Sequence, residues 1–206
     1  RDDAEDIIAT LNDNLGKIDE HGKRADSIVQ SMLLHSRDGP GEQRTIAIND
    51  LASEALNLAY HGARAEVQGF NVTLEKNLDD AAGMIEAIPQ DLTRVFLNVI
   101  GNGLDATHQR DEMGESGYQP TLSLSTRDLG DRVEIVIRDN GTGMPEEVAD
   151  KIFAPFFTTK PPGKGTGLGL SISHDIVVKQ HGGQFDVDSQ DGEYTAFRIV
   201  LPRSGS

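Results

Sequence analysis

Hydrophobic positions in the first forty residues repeat with the spacing of a coiled-coil helix. Eight of them alternate steps of three and four, while charged residues fill most positions between: Ile8, Leu11, Leu15, Ile18, Gly22, Ala25, Val29 and Met32. This a/d pattern predicts one helix from about Asp6 to Ser36. A helix of about 45 Å needs partner helices, because its own apolar stripe is too narrow to stabilise it. Two interpretations stay open at this point, a coiled-coil linker and one half of a helical hairpin in a dimeric bundle.

A Gly-Pro-Gly turn within residues 37–43 interrupts the helical pattern and predicts a domain boundary. We therefore divide the chain into a helical segment over residues 1–38, a linker over 39–45 and a globular domain over 46–203. The lack of an initiator methionine leads us to expect that the chain is part of a longer protein.

Three helices are predicted in the globular domain. Asn49 is expected to cap the first, which runs to about Ala65. Pro89 suits the first turn of the second, since proline lacks the N–H that this turn leaves unpaired. The third is an apolar helix from Leu168 to about Lys179. Six residues on one side of the second helix are predicted to face the core: Leu92, Val95, Phe96, Val99, Ile100 and Leu104.

Alternation of apolar and polar residues predicts the strands of this domain. A Gly-Asp pair joins two of them and is typical of a hairpin. Helices and hairpin-joined strands segregate along the chain, which indicates an α+β fold and not a parallel doubly wound sheet. The predicted strands cover residues 70–78, 84–88, 121–129, 132–140, 184–189 and 194–201, and a long irregular stretch is expected over 140–166.

Composition narrows the classes of function. Acidic residues outnumber basic ones by 34 to 19, which gives a net charge of −15 and argues against binding to nucleic acid or to an anionic membrane. The chain has no cysteine, so disulfides, thiolate catalysis and Cys-ligated zinc are excluded. No apolar run in the sequence is long enough for a membrane span. The lack of cysteine favours a cytoplasmic location for this segment, and a membrane anchor elsewhere in the full-length protein stays open.

Two polar stretches of the globular domain could bind a nucleotide together. In "NVIGNGLDA", three polar side chains are three or four residues apart and share one helix face. In "RDNGTGMP", a carboxylate ends a strand and is followed by glycines, so it could accept a hydrogen bond from a ligand amino group. Taken alone, the first stretch is more typical of a solvated helix face, although two asparagines four residues apart also suit a metal or phosphate, and the second is more typical of an ordinary turn. The residues concerned are Asn98, Asn102, Asp105, Asp139, Gly141 and Gly143.

Two further stretches follow in the irregular region and at the start of the third predicted helix. "FAPFFTTK" ends in Lys160, and its ordinary interpretation is a loop held by buried phenylalanines. "KGTGLGL" leads into a helix, so its backbone N–H groups and the helix N-terminus could face an anion. The pattern is neither a Walker loop nor a dinucleotide fingerprint, since no G-x-x-x-x-G-K-[ST] occurs and the glycines follow an irregular loop. The candidates in the second stretch are Lys164, Gly165, Thr166, Gly167, Leu168 and Gly169.

The ordered set N-x-x-x-N, D-x-G-x-G, F-x-P-F and G-x-G-x-G resembles the ATP-binding domain of sensor histidine kinases of two-component systems. These kinases share the GHKL superfamily with gyrase, mismatch-repair and heat-shock chaperone ATPases. The resemblance covers residues 45–203, and the segment 6–36 is similar to the second helix of the kinase's dimerisation hairpin. It implies a two-layer α/β sandwich with a mixed, mostly antiparallel sheet, helices on one face and a lid over the ATP.

The resemblance also implies a role for each candidate residue. Asp139 accepts a hydrogen bond from the adenine amino group, Thr195 helps to hold a neighbouring water, and Asn102 ligates Mg²⁺. Asn98 is the candidate catalytic residue near the γ-phosphate. The remaining residues, which wrap the base, contact phosphate or form the lid hinge, are Gly141, Gly143, Lys160, Lys164, Gly165, Thr166, Gly167, Leu168 and Gly169. Asp105, also a candidate site residue, stands where many relatives have lysine.

The expected function is therefore transfer of the γ-phosphoryl of Mg-ATP to a histidine, for relay to a response regulator receiver domain. The alternatives are a GHKL ATPase or a nucleotide-binding regulator without transfer activity. ATPases of the superfamily have glutamate at position 98 as the base, and asparagine cannot take up that proton. None of the six histidines lies in an H-[DE]-x-x-[NT]-P motif, so the acceptor is expected outside this chain. Homodimerisation through the N-terminal helix is expected in the full protein.

Overall fold

The computed structural model describes Asn14 and residues 41–67, 70–161 and 165–204. The chain divides into two units, of which the larger contains residues 41–153 and 169–206 and the smaller contains residues 1–40 and 154–168. The predicted helix over residues 6–36 lies outside the described residues, apart from the helical and exposed Asn14. That helix and the predicted domain boundaries stay predictions.

The larger unit is built on a five-stranded sheet. In spatial order its strands are β2 (Thr73–Asn77), β4 (Thr121–Asp128), β5 (Arg132–Asp139), β7 (Tyr194–Pro202) and β6 (Gln184–Gln190). β2 runs parallel to β4, and every other neighbouring pair is antiparallel. A second, two-stranded antiparallel sheet joins β1 (Arg44–Ala47) to β3 (Met84–Ala87). The predicted mixed, mostly antiparallel sheet is confirmed, and β1 is a strand that the sequence analysis missed.

The helices of this unit are α1 (Ile48–Glu66), α2 (Pro89–Glu112), α3 (Glu146–Ala149) and α4 (Gly169–His174), and α4 continues as a π-helical segment over Asp175–Gln180. A 3₁₀ turn covers Asp80–Ala82. α2 is the central helix, because it packs on α1, on α4 and on β4 and β5. No helix in the described part of the chain is long and apolar enough to cross a membrane.

The register of the sheet places its apolar residues on the face that α2 covers. Ile137 on β5 pairs with Leu124 on β4 and with Phe197 on β7, and all three side chains are buried. The intervening residues form the opposite face, where Arg198 bonds to Glu134. The two-layer α/β sandwich with helices on one face is therefore confirmed.

The predicted cap of the first helix is wrong. α1 begins at Ile48, and its N-cap residue, Ala47, makes no side-chain capping bond. The amide of Asn49 instead donates to the Asp79 carbonyl at 2.9 Å and accepts from the Thr126 hydroxyl at 2.8 Å. Asn49 has these partners from other elements, so it ties α1 to the sheet instead of closing the helix end.

Two other predicted boundaries also differ from the structure. The strand expected from residue 70 begins at Thr73. Phe70 and Val72 precede the strand, and their side chains are buried in the core although they are outside the sheet. The Phe70 ring packs edge-on against His108 with 5.6 Å between ring centres. The stretch expected to be irregular over residues 140–166 contains the one-turn helix α3.

Candidate functional site

A buried carboxylate, that of Asp139, ends strand β5. The side chain is only 4% exposed, and its Oδ1 accepts a hydrogen bond from the Gly141 N–H at 2.9 Å. Burial raises the pKa of Asp139 to about 6, against the opposing effect of hydrogen bonds from the Gly141 and Thr195 backbone. Burial destabilises the ionised form of a carboxylate. Carboxylates with a pKa raised in this way are frequent at ligand-binding sites.

Thr195 lies directly opposite Asp139 in the β5–β7 ladder and is 5% exposed. Residues that face each other in an antiparallel pair have Cβ atoms about 5 Å apart. The Thr195 hydroxyl lies 3.0 Å from the hydroxyl of Ser189 on β6. The sheet thus places an acidic and a hydroxyl side chain together at one end of its helix-covered face.

The loop after Asp139 requires glycine at two positions. A Cβ on Gly141 would lie 2.5 Å from the carbonyl carbon of Ala106 on α2, so the loop can only approach α2 without a side chain there. Gly143 has φ +62°, and a Cβ there would overlap the Gln190 carbonyl. The loop is therefore enclosed by α2 on one side and by the β6–β7 turn on the other.

Arg110, near the C-terminal end of α2, connects the same loop to the rest of the fold. Its Nη1 donates to the carbonyl oxygens of Asn140 at 3.0 Å, Gly141 at 3.3 Å and Glu193 at 3.2 Å. Glu115 pairs with the guanidinium at 2.9 Å and raises the pKa of Arg110. Sequence reasoning missed this residue, because one arginine in the last turn of a helix is expected there for the helix dipole alone.

Asn140 is fixed by side chains as well as by Arg110. Its Oδ1 accepts from the Thr121 N–H at 2.8 Å and from the Tyr118 hydroxyl at 3.0 Å, while its Nδ2 donates to the Gln119 carbonyl at 2.8 Å. Burial raises the pKa of Tyr118 to about 12, so this hydroxyl stays a donor. In the residue that follows Asp139, both the side-chain oxygen and the side-chain nitrogen are therefore hydrogen-bonded within the protein.

Asn98 joins α2 to the start of α4. Its Nδ2 donates to the Gly169 carbonyl and to the Ser173 hydroxyl, both at 3.1 Å. These two bonds use both amide hydrogens, so the atom through which Asn98 can meet a ligand is its carbonyl oxygen. That atom suits a cation or a water better than a phosphate oxygen.

Asn102 and Asp105 follow Asn98 on α2 by one and two helical turns. Asn102 is half-buried and Asp105 is exposed. The neighbouring Gly103 lies directly against the end of β5, since a Cβ at that position would be 3.3 Å from Asp139 Oδ2. Within the described residues there is no cluster of three His, Asp or Glu side chains for a metal. The side-chain oxygens of Asn102 and Asp105 fit the coordination that Mg²⁺ usually has in proteins. In that coordination one or two ligands are protein oxygens, and the others are waters and substrate phosphates.

The segment over residues 154–168 belongs to the smaller unit, and its contacts are described within that unit alone. Phe156 has a φ of 65°, and the Gly167 backbone lies directly against it. A Cβ on Gly165 would be 2.8 Å from the Thr158 hydroxyl, and the Leu168 N–H donates to Thr166 Oγ1 at 3.3 Å. The two ends of the segment therefore lie together. Lys160 is described there, whereas Lys164 lies outside the described residues.

The predicted site residues of the larger unit thus fall into two groups. The first group lies around the end of β5 and contains Asp139, Gly141, Gly143 and Thr195. The second lies on α2 and at the start of α4 and contains Asn98, Asn102, Asp105 and Gly169. The close approach of Gly103 to Asp139 places the two groups on neighbouring elements.

A family model covers more than half of the chain. Residues 87–205 match the model described as histidine kinase-, DNA gyrase B-, and HSP90-like ATPase. The chain belongs to this family. Membership in this ATPase family implies that the chain binds ATP.

Named members of the family include sensor kinases to which the chain is similar. It is 32% identical over 181 residues to sporulation kinase C of Bacillus subtilis (strain 168), an alignment that covers 87% of this chain and 39% of the relative. It is 35% identical over 199 residues to sensor kinase CckA of Brucella abortus (strain 2308), which covers 90% of this chain and 20% of the relative. The chain therefore spans less than half of either protein.

Solved structures of the same family share the fold. The nucleotide-free catalytic domain of histidine kinase ThkA superimposes with a TM-score of 0.65 at 28% identity, over 79% of this chain and 97% of that domain. ThkA in complex with the response regulator protein TrrA matches with a TM-score of 0.67 at 25% identity, over 90% of this chain and 49% of that one. The chain is thus similar in fold and sequence to histidine kinase catalytic domains, and its match to a GHKL sensor kinase ATP-binding domain is confirmed.

Proposed function

We propose that the chain is the ATP-binding catalytic part of a sensor histidine kinase. In this proposal it transfers the γ-phosphoryl of Mg-ATP to a histidine outside the chain, from which a response regulator receives it. The observation that carries the proposal is the buried Asp139 carboxylate beside Thr195, at the end of a sheet whose helix α2 presents Asn98 and Asn102.

The adenine end of the nucleotide is assigned to Asp139. One oxygen of the carboxylate is held by Gly141, and the group lies in surroundings where a charged acceptor and a ligand N–H form a strong bond. Gly141 and Gly143 let the adjoining loop pack closely on α2 and on the β6–β7 turn, which keeps its backbone beside Asp139. Thr195 contributes its hydroxyl next to the carboxylate.

The phosphate end is assigned to α2 and to the glycine-rich segment. Asn102 would hold Mg²⁺ through its amide oxygen, and the carbonyl oxygen of Asn98 can assist through a water. When bound, Mg²⁺ neutralises charge on the phosphates, which matters in a chain with a net charge of −15. Asp105 adds no positive charge, so contacts to phosphate oxygens are assigned from the motif alone to Lys160, Lys164, Gly165, Thr166, Gly167, Leu168 and Gly169.

The transfer step breaks the bond between the γ-phosphorus and the β–γ bridging oxygen and forms a phosphorus–nitrogen bond to the acceptor imidazole, leaving ADP. Of the four described histidines, three make contacts within the fold that disfavour a role as that acceptor, and the fourth, His61, is exposed. Both ring nitrogens of His181 are engaged, one with the Ile176 carbonyl at 2.9 Å and one with the Ile88 N–H at 3.1 Å. The His174 ring packs on Phe153, and that of His108 lies against Phe70. These contacts support an acceptor histidine on another chain or segment.

The alternative is an ATPase of the gyrase or chaperone kind, and Asn98 argues against it. An amide cannot accept the proton of an attacking water at neutral pH. Both hydrogens of this amide are already used inside the protein. The proposal therefore predicts slow ATP turnover by the chain alone, and fast basal turnover would favour the ATPase instead.

The wider setting belongs to the same proposal. ThkA was solved in complex with a response regulator protein, which supports a receiver domain as the partner of this chain. Dimerisation through the segment over residues 1–38 and a cytoplasmic location are part of the proposal, as is the lack of contact with nucleic acid or membrane.

Phosphoryl transfer tests the proposal directly. The chain is incubated with γ-labelled ATP, Mg²⁺ and a dimerisation hairpin that carries an H-[DE]-x-x-[NT]-P motif. We expect acid-labile label on the hairpin, and none when its motif histidine is alanine. Label on the isolated chain that disappears in His21→Ala would place the acceptor inside the chain and contradict this assignment.

A further inference from the structure

A row of three polar side chains crosses the end of the sheet. Asp139 on β5 pairs with Thr195 on β7, and Thr195 pairs with Ser189 on β6. Directly paired residues point to the same face, so all three side chains are on the helix-covered side. Asp139 and Thr195 are buried, and Ser189 is half-buried at the outer edge.

The hydrogen bonds in this row fix the direction in which each hydroxyl points. Ser189 Oγ lies 2.8 Å from the carbonyl oxygen of Tyr194, which can only accept, so the serine proton is used there. The two hydroxyl oxygens of Ser189 and Thr195 are 3.0 Å apart. Because the serine proton is already in the bond to Tyr194, the Thr195 hydroxyl has to be the donor in this second bond. The Thr195 oxygen then has only lone pairs left for a ligand.

We propose that Ser189 is a specificity-determining residue that selects adenine over bases with a carbonyl oxygen at the same position. It acts through Thr195, which it keeps as an acceptor beside the acceptor Asp139. A base edge that meets two acceptors is favoured when it brings an amino group and is disfavoured when it brings an oxygen. This inference rests on the proposed function, since it assumes that the base lies at Asp139.

Removing the Ser189 hydroxyl frees the proton of Thr195. Thr195 could then turn and donate to a carbonyl oxygen on the base, which relaxes the selection against that oxygen. A purely structural role for Ser189 would give a different result. A weakened β6–β7 turn would lower the melting temperature of the protein and would lower its affinity for both nucleotides equally.

The experiment compares ATP with inosine triphosphate, which has a carbonyl oxygen and a ring N–H where ATP has an amino group and a ring nitrogen. Affinities for both are measured by calorimetry with Mg²⁺ on the whole chain and on Ser189→Ala, Ser189→Thr, Thr195→Val and the double variant. We expect Ser189→Ala to lower the preference for ATP by about fivefold to tenfold, mainly through tighter binding of inosine triphosphate. Ser189→Thr keeps the hydroxyl and should keep the preference.

Valine at position 195 has no proton to turn, so in the Thr195→Val background the Ser189→Ala substitution should change the preference less than twofold. Two results would overturn the inference: an unchanged preference in Ser189→Ala, or the same effect of Ser189→Ala with and without Thr195. The proposed function would survive either result if the parent chain binds ATP and Asp139→Asn does not. A parent chain that binds neither nucleotide would overturn the proposed function, and this inference with it.

Discussion

Asp139 and Thr195 face each other across the β5–β7 ladder, and both side chains are buried. The pairing joins two stretches that are far apart in the sequence, the end of the first hairpin and the start of the last strand. The loop after Asp139 is then held by Arg110 from α2 and by the β6–β7 turn. The candidate adenine site is thus made where three separate parts of the chain meet.

Arg110→Gln should weaken ATP binding. The substitution removes the charged group that holds the Asn140 and Gly141 carbonyls, so the loop beside Asp139 loses its fixed position. We expect about threefold to tenfold lower affinity and a loss of about 1–2 kcal/mol in the free energy of unfolding. Titration calorimetry and denaturant unfolding measure the two effects.

The matched control is Arg198→Gln, which breaks ion pairs with Glu134 and Asp186 on the open face of the sheet. This variant should lose some stability and bind ATP as the parent does. Equal ATP affinity in the two variants would show that Arg110 has no role in placing the loop.

His181→Ala should destabilise the fold. The His181 ring is buried and its Nε2 accepts the N–H of Ile88, the N-cap residue of α2. Loss of the ring leaves that N–H without its partner and opens a cavity, which together cost about 2–4 kcal/mol. Thermal unfolding measures the loss, with the exposed His61→Ala as a control that should stay within about 0.5 kcal/mol. A similar melting temperature for both variants would argue against this contact.

Asp139→Asn should stabilise the chain without nucleotide at pH 8. The pKa of Asp139 is raised to about 6 in the fold, so the folded state binds its proton more tightly than the unfolded state does. Stability from this group is therefore present at low pH and is lost as the pH rises through about 6. The variant should gain up to about 3 kcal/mol at pH 8, and little near pH 4.

Asp128→Asn provides the opposite case for the same unfolding measurements. The hydrogen bond from Arg203, followed by that from the Gly130 N–H, lowers the pKa of Asp128. That carboxylate stabilises the fold at neutral pH and loses this effect as the pH falls through its lowered pKa. Asp128→Asn should therefore be less stable than the parent at pH 8. The same sign of change in both variants would contradict the assigned environments.

Much of the fold follows from local patterns in the sequence. The alternation in β4 and β5, the proline at the start of α2 and the apolar face of that helix all predicted elements that are present. The role expected for Asn49 was wrong because its polar partners, Asp79 and Thr126, come from other elements. Propensity and spacing contain no information on such long-range partners.

The same limit applies to the candidate site. The sequence singled out Asp139 and the glycines after it through the ordered set of four motifs, since the stretch taken alone is an ordinary turn. It did not single out Arg110 or Ser189, because each is an ordinary residue until the sheet register and the loop bring its partners close. Motifs identify the groups that meet a ligand, and the tertiary contacts identify the groups that hold them.

The proposed function rests on the claim that the ionised Asp139 binds the adenine of ATP. Its most direct test is titration of ATP with Mg²⁺ into the parent chain and into Asp139→Asn, each at pH 8 and at pH 5. At pH 8 the parent should bind about tenfold to a hundredfold more tightly, as expected for one hydrogen bond to a charged group. At pH 5 protonation of Asp139 should remove most of this advantage. Equal affinities of the two chains at pH 8 would contradict the claim.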